Sequence, residues 1–193
     1  MTTETLQRAK RRDRWVSWFV VGLFVVALIL GWVVKSAAEG RTETYSGNEI
    51  IVKYPKGWYR ADVEDPLLLQ VDDTLAEPYK TTFRIQRRPE ATLSAAQQAL
   101  AFNRGRNWSA YRLLQIQNDV SFAGHDGMRV TFAYVETNPD PFRETVPVVI
   151  MGEDFYFPAK DGVHVYVFTL TAAEANYERA RDDFESFVRS FKE

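Results

Sequence analysis

Side chains that could do chemistry are few in this sequence. The two histidines, His125 and His164, are the groups whose ordinary pKa lies near neutrality. His125 sits beside Asp126. A Ser–His–Asp site needs the carboxylate to orient the ring and a serine within reach, which adjacent positions in a turn do not supply. His125 therefore reads as a solvated turn residue. His164 alternates into a run of Val and Tyr and reads as a satisfied histidine in the core or on a sheet face. No His-x-x-x-His or His–Glu pair supplies metal spacing. The chain has no cysteine, which excludes disulfides, thiol nucleophiles and zinc–thiolate sites.

Two acidic groups remain, Asp62, Glu64 and Asp65, and Asp72, Asp73 and Glu77. Either could hold a hard cation through oxygen ligands, but neither follows an EF-hand pattern, and solvated turn acids are the simpler reading. Arg84, Arg87 and Arg88 could bind an anion, although such residues more often cover a sheet face or edge. No glycine-rich run able to cradle a phosphate exists. Asn107-Trp108-Ser109 matches a glycosylation sequon, as one chance match would. Trp58 and Trp108 could line a ligand cleft, yet core packing explains them more simply. These residues assign no catalytic, cofactor-binding or metal role, and no cofactor is expected.

The elements that would position them fall into two parts. Trp15–Val34 is twenty residues without a charge. At about 1.5 Å per residue it spans roughly 30 Å, the thickness of a bilayer core. Trp15, Trp18 and Trp32 stand near its ends as interfacial anchors. Arg8, Lys10, Arg11, Arg12 and Arg14 precede it, so the N-terminus is expected in the cytoplasm and the rest of the chain outside. The organisation read from this is a basic cytoplasmic tail over 1–14, a transmembrane helix over 15–34, a linker over 35–44 and an extracytoplasmic domain over 45–193. The lipid bilayer is thus the first expected partner. A signal peptide cleaved after Ala38 is the competing reading, because Ser36-Ala37-Ala38 resembles a cleavage site, but the apolar stretch is long for one. Ala27 and Gly31 form a small-xxx-small pair of a kind common by chance.

From Ser36 onward 18 basic side chains face 24 acidic ones, a net charge of −6, which argues against nucleic-acid binding. Strands are predicted over Glu49–Tyr54, at Trp58–Arg60, and over Leu67–Val71 and Thr81–Arg87. A helix capped at Ser94 or Thr92 follows, with Leu93, Ala96, Leu100 and Phe102 or Asn103 as its apolar stripe. Further strands are expected over Tyr111–Gln117, Val120–Ala123, Met128–Val135 and Thr145–Met151. Gly124-His125-Asp126-Gly127 reads as a hairpin turn. Val163–Leu170 is apolar on both faces and should be central. A capping box at Thr171–Glu174 opens a closing helix whose stripe is Tyr177, Ala180, Phe184, Phe187, Val188 and Phe191. The whole predicts an α+β fold, an αβα sandwich on a mostly antiparallel sheet.

Three features together resemble the PsbP-like domain superfamily. They are the opening strand into Tyr54-Pro55-Lys56-Gly57-Trp58, the Gly124…Gly127 hairpin before a long aromatic strand, and the closing Tyr177…Phe191 helix behind an apolar strand. The resemblance spans Tyr45–Phe191 and rests on pattern and order. It implies an αβα sandwich that is generally non-enzymatic, with some members helping to assemble a membrane complex. The leading expectation is a membrane-anchored extracytoplasmic interaction or assembly module, with a membrane protein complex as partner. A binding domain for a small ligand, peptide or cation is the alternative. A hydrolase using paired carboxylates is a third.

Overall fold

The structure is a computed structural model, and it describes residues 20–32, 41–137 and 146–193. Residues 20–32 are helical (α1) with every side chain exposed. They lie within the apolar stretch 15–34, the remainder of which falls outside the described residues. Among the described residues no helix is long and apolar enough to cross a membrane. The basic tail and most of the expected linker also lie outside them.

Thr42–Glu193 forms a compact unit of its own. It opens with a hairpin of β1 (Thr42–Gly47) and β2 (Ile50–Pro55). Asn48 and Glu49, both at positive φ, form its two-residue turn, the geometry that matches the twist of paired strands. β1 lies partly inside the stretch read as linker, because its alternating Thr, Glu and Ser carry no apolar signal.

Seven strands then build one sheet: β3 (Tyr59–Arg60), β4 (Leu67–Asp73), β5 (Thr81–Arg88), β6 (Ser109–Phe122), β7 (His125–Glu136), β8 (Val148–Pro158) and β9 (Val165–Ala173). The order across it is β3-β4-β5-β9-β8-β7-β6, antiparallel at every pairing. β9 is central and buried at every position, as its two-faced apolar run requires. Two helices, α2 (Leu93–Asn107) and α3 (Glu174–Arg189), complete the unit. The αβα expectation is met in outline: helices cover a mostly antiparallel sheet from both sides.

One face is covered by α3 and β2. Tyr177, Phe184, Phe187 and Val188 pack on Phe83, Ile85, Phe155, Phe168 and Leu170, with Ile50 and Val52 alongside. Phe184 and Phe187 meet Phe83 at 5.4 and 5.2 Å between ring centroids. Burying side chains of this size stabilises the fold by about 1.5–3 kcal/mol each. The closing stripe is thus in register with the sequence reading. Its start differs: Thr171 is a buried strand residue opposite Thr82 and Gly152. The helix begins at Glu174 behind Ala173, without a side-chain cap. Strand pairing outcompetes the capping box.

The other face is covered by α2 through Ala96 and Leu100, against Met128, Val130, Tyr156, Val165 and Val167. Thr92, rather than Ser94, caps this helix, its Oγ1 accepting from Ala95 N at 3.2 Å. The expected stripe holds at Leu93, Ala96 and Leu100 and differs at its last position, where Arg104 replaces Phe102 or Asn103. Ala96, Leu100 and Arg104 point inward four residues apart, with Gln97 buried beside them, while Phe102 is 68% exposed.

Three boundaries also move. Tyr111–Gln117 and Val120–Phe122 belong to one strand, β6, interrupted by register shifts, and Ala123 falls in the turn after it. Val148–Pro158 is likewise a single strand. The second hairpin turns at Ala123-Gly124, both at positive φ, so that His125 already pairs with Phe122. On the α2 face Gly152 lies opposite Phe132. A Cβ at this position would come within 2.1 Å of that ring, so only glycine fits.

Candidate functional site

Strand alternation splits two neighbouring acids. Glu153 and Asp154 sit side by side in β8 and face opposite sides of the sheet, both fully buried. On the α3 side, Glu153 Oε2 accepts from Arg129 Nη2 at 2.7 Å and from the Tyr177 hydroxyl at 2.9 Å. Burial, then the Glu153 charge, pushes the Tyr177 hydroxyl well above its ordinary range. Arg129 also stacks over Phe122.

The α2 side differs. Asp154 lies opposite Thr169 of β9. It accepts from the Thr169 hydroxyl at 2.7 Å, from the Tyr156 hydroxyl at 2.9 Å and from both terminal nitrogens of Arg104, the Nη2 bond being 2.9 Å. This is a two-pronged guanidinium–carboxylate pair, the strong form of such a bond. Burial alone would lower the Arg104 pKa, but the Asp154 charge and hydrogen bonds outweigh it and hold the cation protonated. Burial and the neighbouring carboxylate raise Tyr156 far above 10.0.

Arg104 is roofed by aromatic rings, with its guanidinium 4.3 Å from the Phe132 centroid and 5.0 Å from that of Trp108. Trp108 stacks on Tyr134 at 4.3 Å, and the Tyr134 hydroxyl meets that of Tyr79. Burial, and then Tyr79, raises the Tyr134 pKa. Beside this cluster a cavity of about 150 Å³ opens between α2 and β5. Its sheet side is Arg84, Gln86 and Thr169, and its helix side includes Asn103, Arg104 and Trp108. The Arg84 side chain makes no hydrogen bond or ion pair among the described residues, and its Nε is shielded from solvent without an acceptor. A wider hollow of about 350 Å³ lies by Glu49, Asp65, Leu68 and Arg87. Glu49 and Arg87 there approach only to 3.6 Å.

The residues singled out from sequence are scattered. His125 is not a solvated turn residue: it stacks on Phe157 at 4.6 Å between centroids. Burial lowers its pKa, with Asp126 opposing. His164 is not on the sheet: it lies in the turn before β9 with Nδ1 2.6 Å from Asp161 Oδ2. Two backbone N–H groups, from Val163 and His164, and then the ring hold Asp161 down at about 2.

Asp72 is not solvated either. It is buried, taking Lys80 Nζ at 2.7 Å and the Thr82 hydroxyl at 2.8 Å, while Asp73 accepts from Leu75 N within its turn. Asp62, Glu64 and Asp65 are exposed. Among the described residues no cluster of His, Asp and Glu could hold a metal ion.

Of the three arginines, Arg84 reaches the cavity, Arg87 lines the wider hollow, and Arg88 is paired with Glu90 at 2.6 Å. Asn107 donates to the Asn103 carbonyl at the end of α2. Trp58 packs on Phe83 in the α3-side core and Trp108 lines the cavity on the other face, so no cleft is lined by both. Sequence reasoning missed Arg104, Asp154 and Thr169. The available signal was an acid pair inside an otherwise apolar strand.

No protein-family model matches the chain, and no curated protein matches it by sequence. Solved structures do. Cyanobacterial PsbP (CyanoP) from Synechocystis sp. PCC 6803 is 14% identical with a TM-score of 0.52, over 78% of this chain and 91% of that one. The Ran-binding protein Mog1p of Saccharomyces cerevisiae is 11% identical with a TM-score of 0.49, over 79% and 95%. LpqN of Mycobacterium tuberculosis, involved in cell envelope biogenesis, is 10% identical with a TM-score of 0.47, over 79% and 90%. By its likeness to the cyanobacterial domain, the chain shares the PsbP-like α+β fold.

Proposed function

We propose that this chain is a single-pass membrane protein whose α+β domain, held outside the cytoplasm, docks on a partner in a membrane complex and performs no catalysis. The observation that carries the reading is β6. This strand ends the seven-stranded sheet and pairs only with β7 among the described residues. It exposes Leu113, Leu114 and Ile116 at 42%, 53% and 41%. A long edge with free backbone groups and apolar side chains is suited to taking up an extended segment of another protein. Arg112 and Asp119, both exposed, bracket that stretch with opposite charges and would orient the incoming segment. Register shifts between Leu113 and Gln115 and between Gln117 and Val120 interrupt the edge, which restrains indiscriminate pairing.

Two further points support the reading. The uncharged segment Trp15–Val34 and the basic residues before it supply an anchor of suitable length and orientation. The buried acids Asp72, Glu153 and Asp154 are each bound to a lysine or an arginine, so none of them is poised as a general acid or base. The PsbP-like resemblance points the same way. Crosslinking in intact cells followed by purification in mild detergent should recover a defined membrane complex, and Ile116→Lys should release the partner while the chain stays folded. A clean monomer under those conditions contradicts the proposal.

A further inference from the structure

We infer that the cavity between α2 and β5 is a binding site for a small oxyanion, a phosphate or a short carboxylate, with Arg84 as its charged anchor. Charge and unfilled hydrogen bonds both favour an anion there. Two guanidinium groups line the cavity. Arg104 is spent on Asp154 through both terminal nitrogens, so that pair adds no net charge. Arg84 has no anion of its own among the described residues, and its Nε is hidden from water without an acceptor. Its terminal nitrogens make no hydrogen bond among the described residues either and, unlike Nε, are not closed off from solvent, so they are the donors a ligand oxygen can reach. An arginine fork is shaped for the oxygens of a carboxylate or phosphate.

The neighbouring amides extend the donor set. Gln86, two residues along on the same face of β5, has no side-chain hydrogen bond among the described residues. Asn103 uses its carbonyl and side-chain oxygens to accept from Asn107, which leaves its side-chain N–H₂ group without an acceptor among the described residues. No acidic side chain lines the cavity, so nothing there repels a negative charge. The size limits the guest. About 150 Å³ falls below the range of drug-sized ligand pockets. Inorganic phosphate or a short dicarboxylate is of a size to match it. The inference concerns the α2 face alone and stands or fails independently of the anchor and of β6.

The test is calorimetric titration of the purified full chain in mild detergent with sodium phosphate and, separately, sodium succinate. Sodium chloride at matched ionic strength is the reference. Saturable binding of one of the two, absent with chloride, is expected, and which anion binds separates the phosphate from the carboxylate source. Arg84→Met should weaken that binding by roughly tenfold or more, the loss of one hydrogen bond to a charged group. Asn103→Asp, which places an acid at an exposed helical position on the cavity wall, should weaken it by repulsion and covers the case in which Arg84→Met misfolds. No saturable binding of either anion, or binding unchanged in Asn103→Asp, overturns the inference.

Discussion

Replacing Asp154 by Asn is a sharp test of how the α2 face is held together. The substitution preserves shape and removes one charge. Asp154 is fully buried and accepts four hydrogen bonds, two from Arg104 and one each from Tyr156 and Thr169. Asparagine offers one oxygen in place of two and turns an N–H₂ group toward a donor. The Arg104 guanidinium, with 8% of its side chain exposed, is left without a counter-charge. Breaking a buried pair from one side costs about 3–5 kcal/mol, a large share of the 5–15 kcal/mol that keeps a domain folded. With an m-value of about 2 kcal/mol/M, the urea midpoint should fall by about 2 M.

Arg104→Met should cost a similar amount, because it strands the carboxylate. The double variant carries neither charge and should be no less stable than either single one, giving a coupling of about 3 kcal/mol. Urea denaturation of the four proteins, followed by near-ultraviolet circular dichroism, measures this directly. Losses below about 1 kcal/mol for the single variants, or strict additivity in the double, would refute the claim that this pair organises the face.

Three other outcomes are expected. Gly152→Ala drives a methyl group into the Phe132 ring and should cost at least about 1–3 kcal/mol, partly recovered by adding Phe132→Leu, as read from urea midpoints. Burial lowers the folded pKa of His125, so the neutral ring is favoured in the fold. Its contribution is complete above the unfolded value of about 6.5 and is lost as pH falls below it. Thermal melts between pH 7.5 and 5 should therefore show a decline that His125→Phe flattens. The chain has no cysteine, so single cysteines report topology: in intact cells an impermeant maleimide should label Lys192→Cys, and should label Thr3→Cys only after permeabilisation.

How much of this architecture was readable depended on whether burial and polarity agreed. The stripe of α3 was legible because every inward position is apolar or aromatic, and β9 because Val165–Phe168 is apolar on both faces, although Thr169 and Thr171 are buried too. α2 was half legible. Its third inward position is Arg104, and a charged residue looks solvent-facing until Asp154, fifty residues away, is known to lie beneath it. The turn of the second hairpin was misplaced because Ala123 adopts a positive φ, which alanine rarely does, whereas the nearby Asp-Gly looks like a turn. Thr171 offered a sound capping pattern, yet two strand neighbours claimed it first. β1 is a polar ribbon whose only strong signal is its pairing with β2. The cavity was invisible for the same reason as Arg104. Arg84, Gln86 and Asn103 come together only through the crossing of α2 over the sheet.

Site-resolved photo-crosslinking in living cells bears most directly on docking through β6. A photo-reactive phenylalanine derivative at Leu114, exposed on that edge, is compared with the same group at Arg179, exposed on α3. The account predicts one discrete adduct with another membrane protein from Leu114 and none from Arg179. No adduct from Leu114, or equal adducts from both positions, would contradict it.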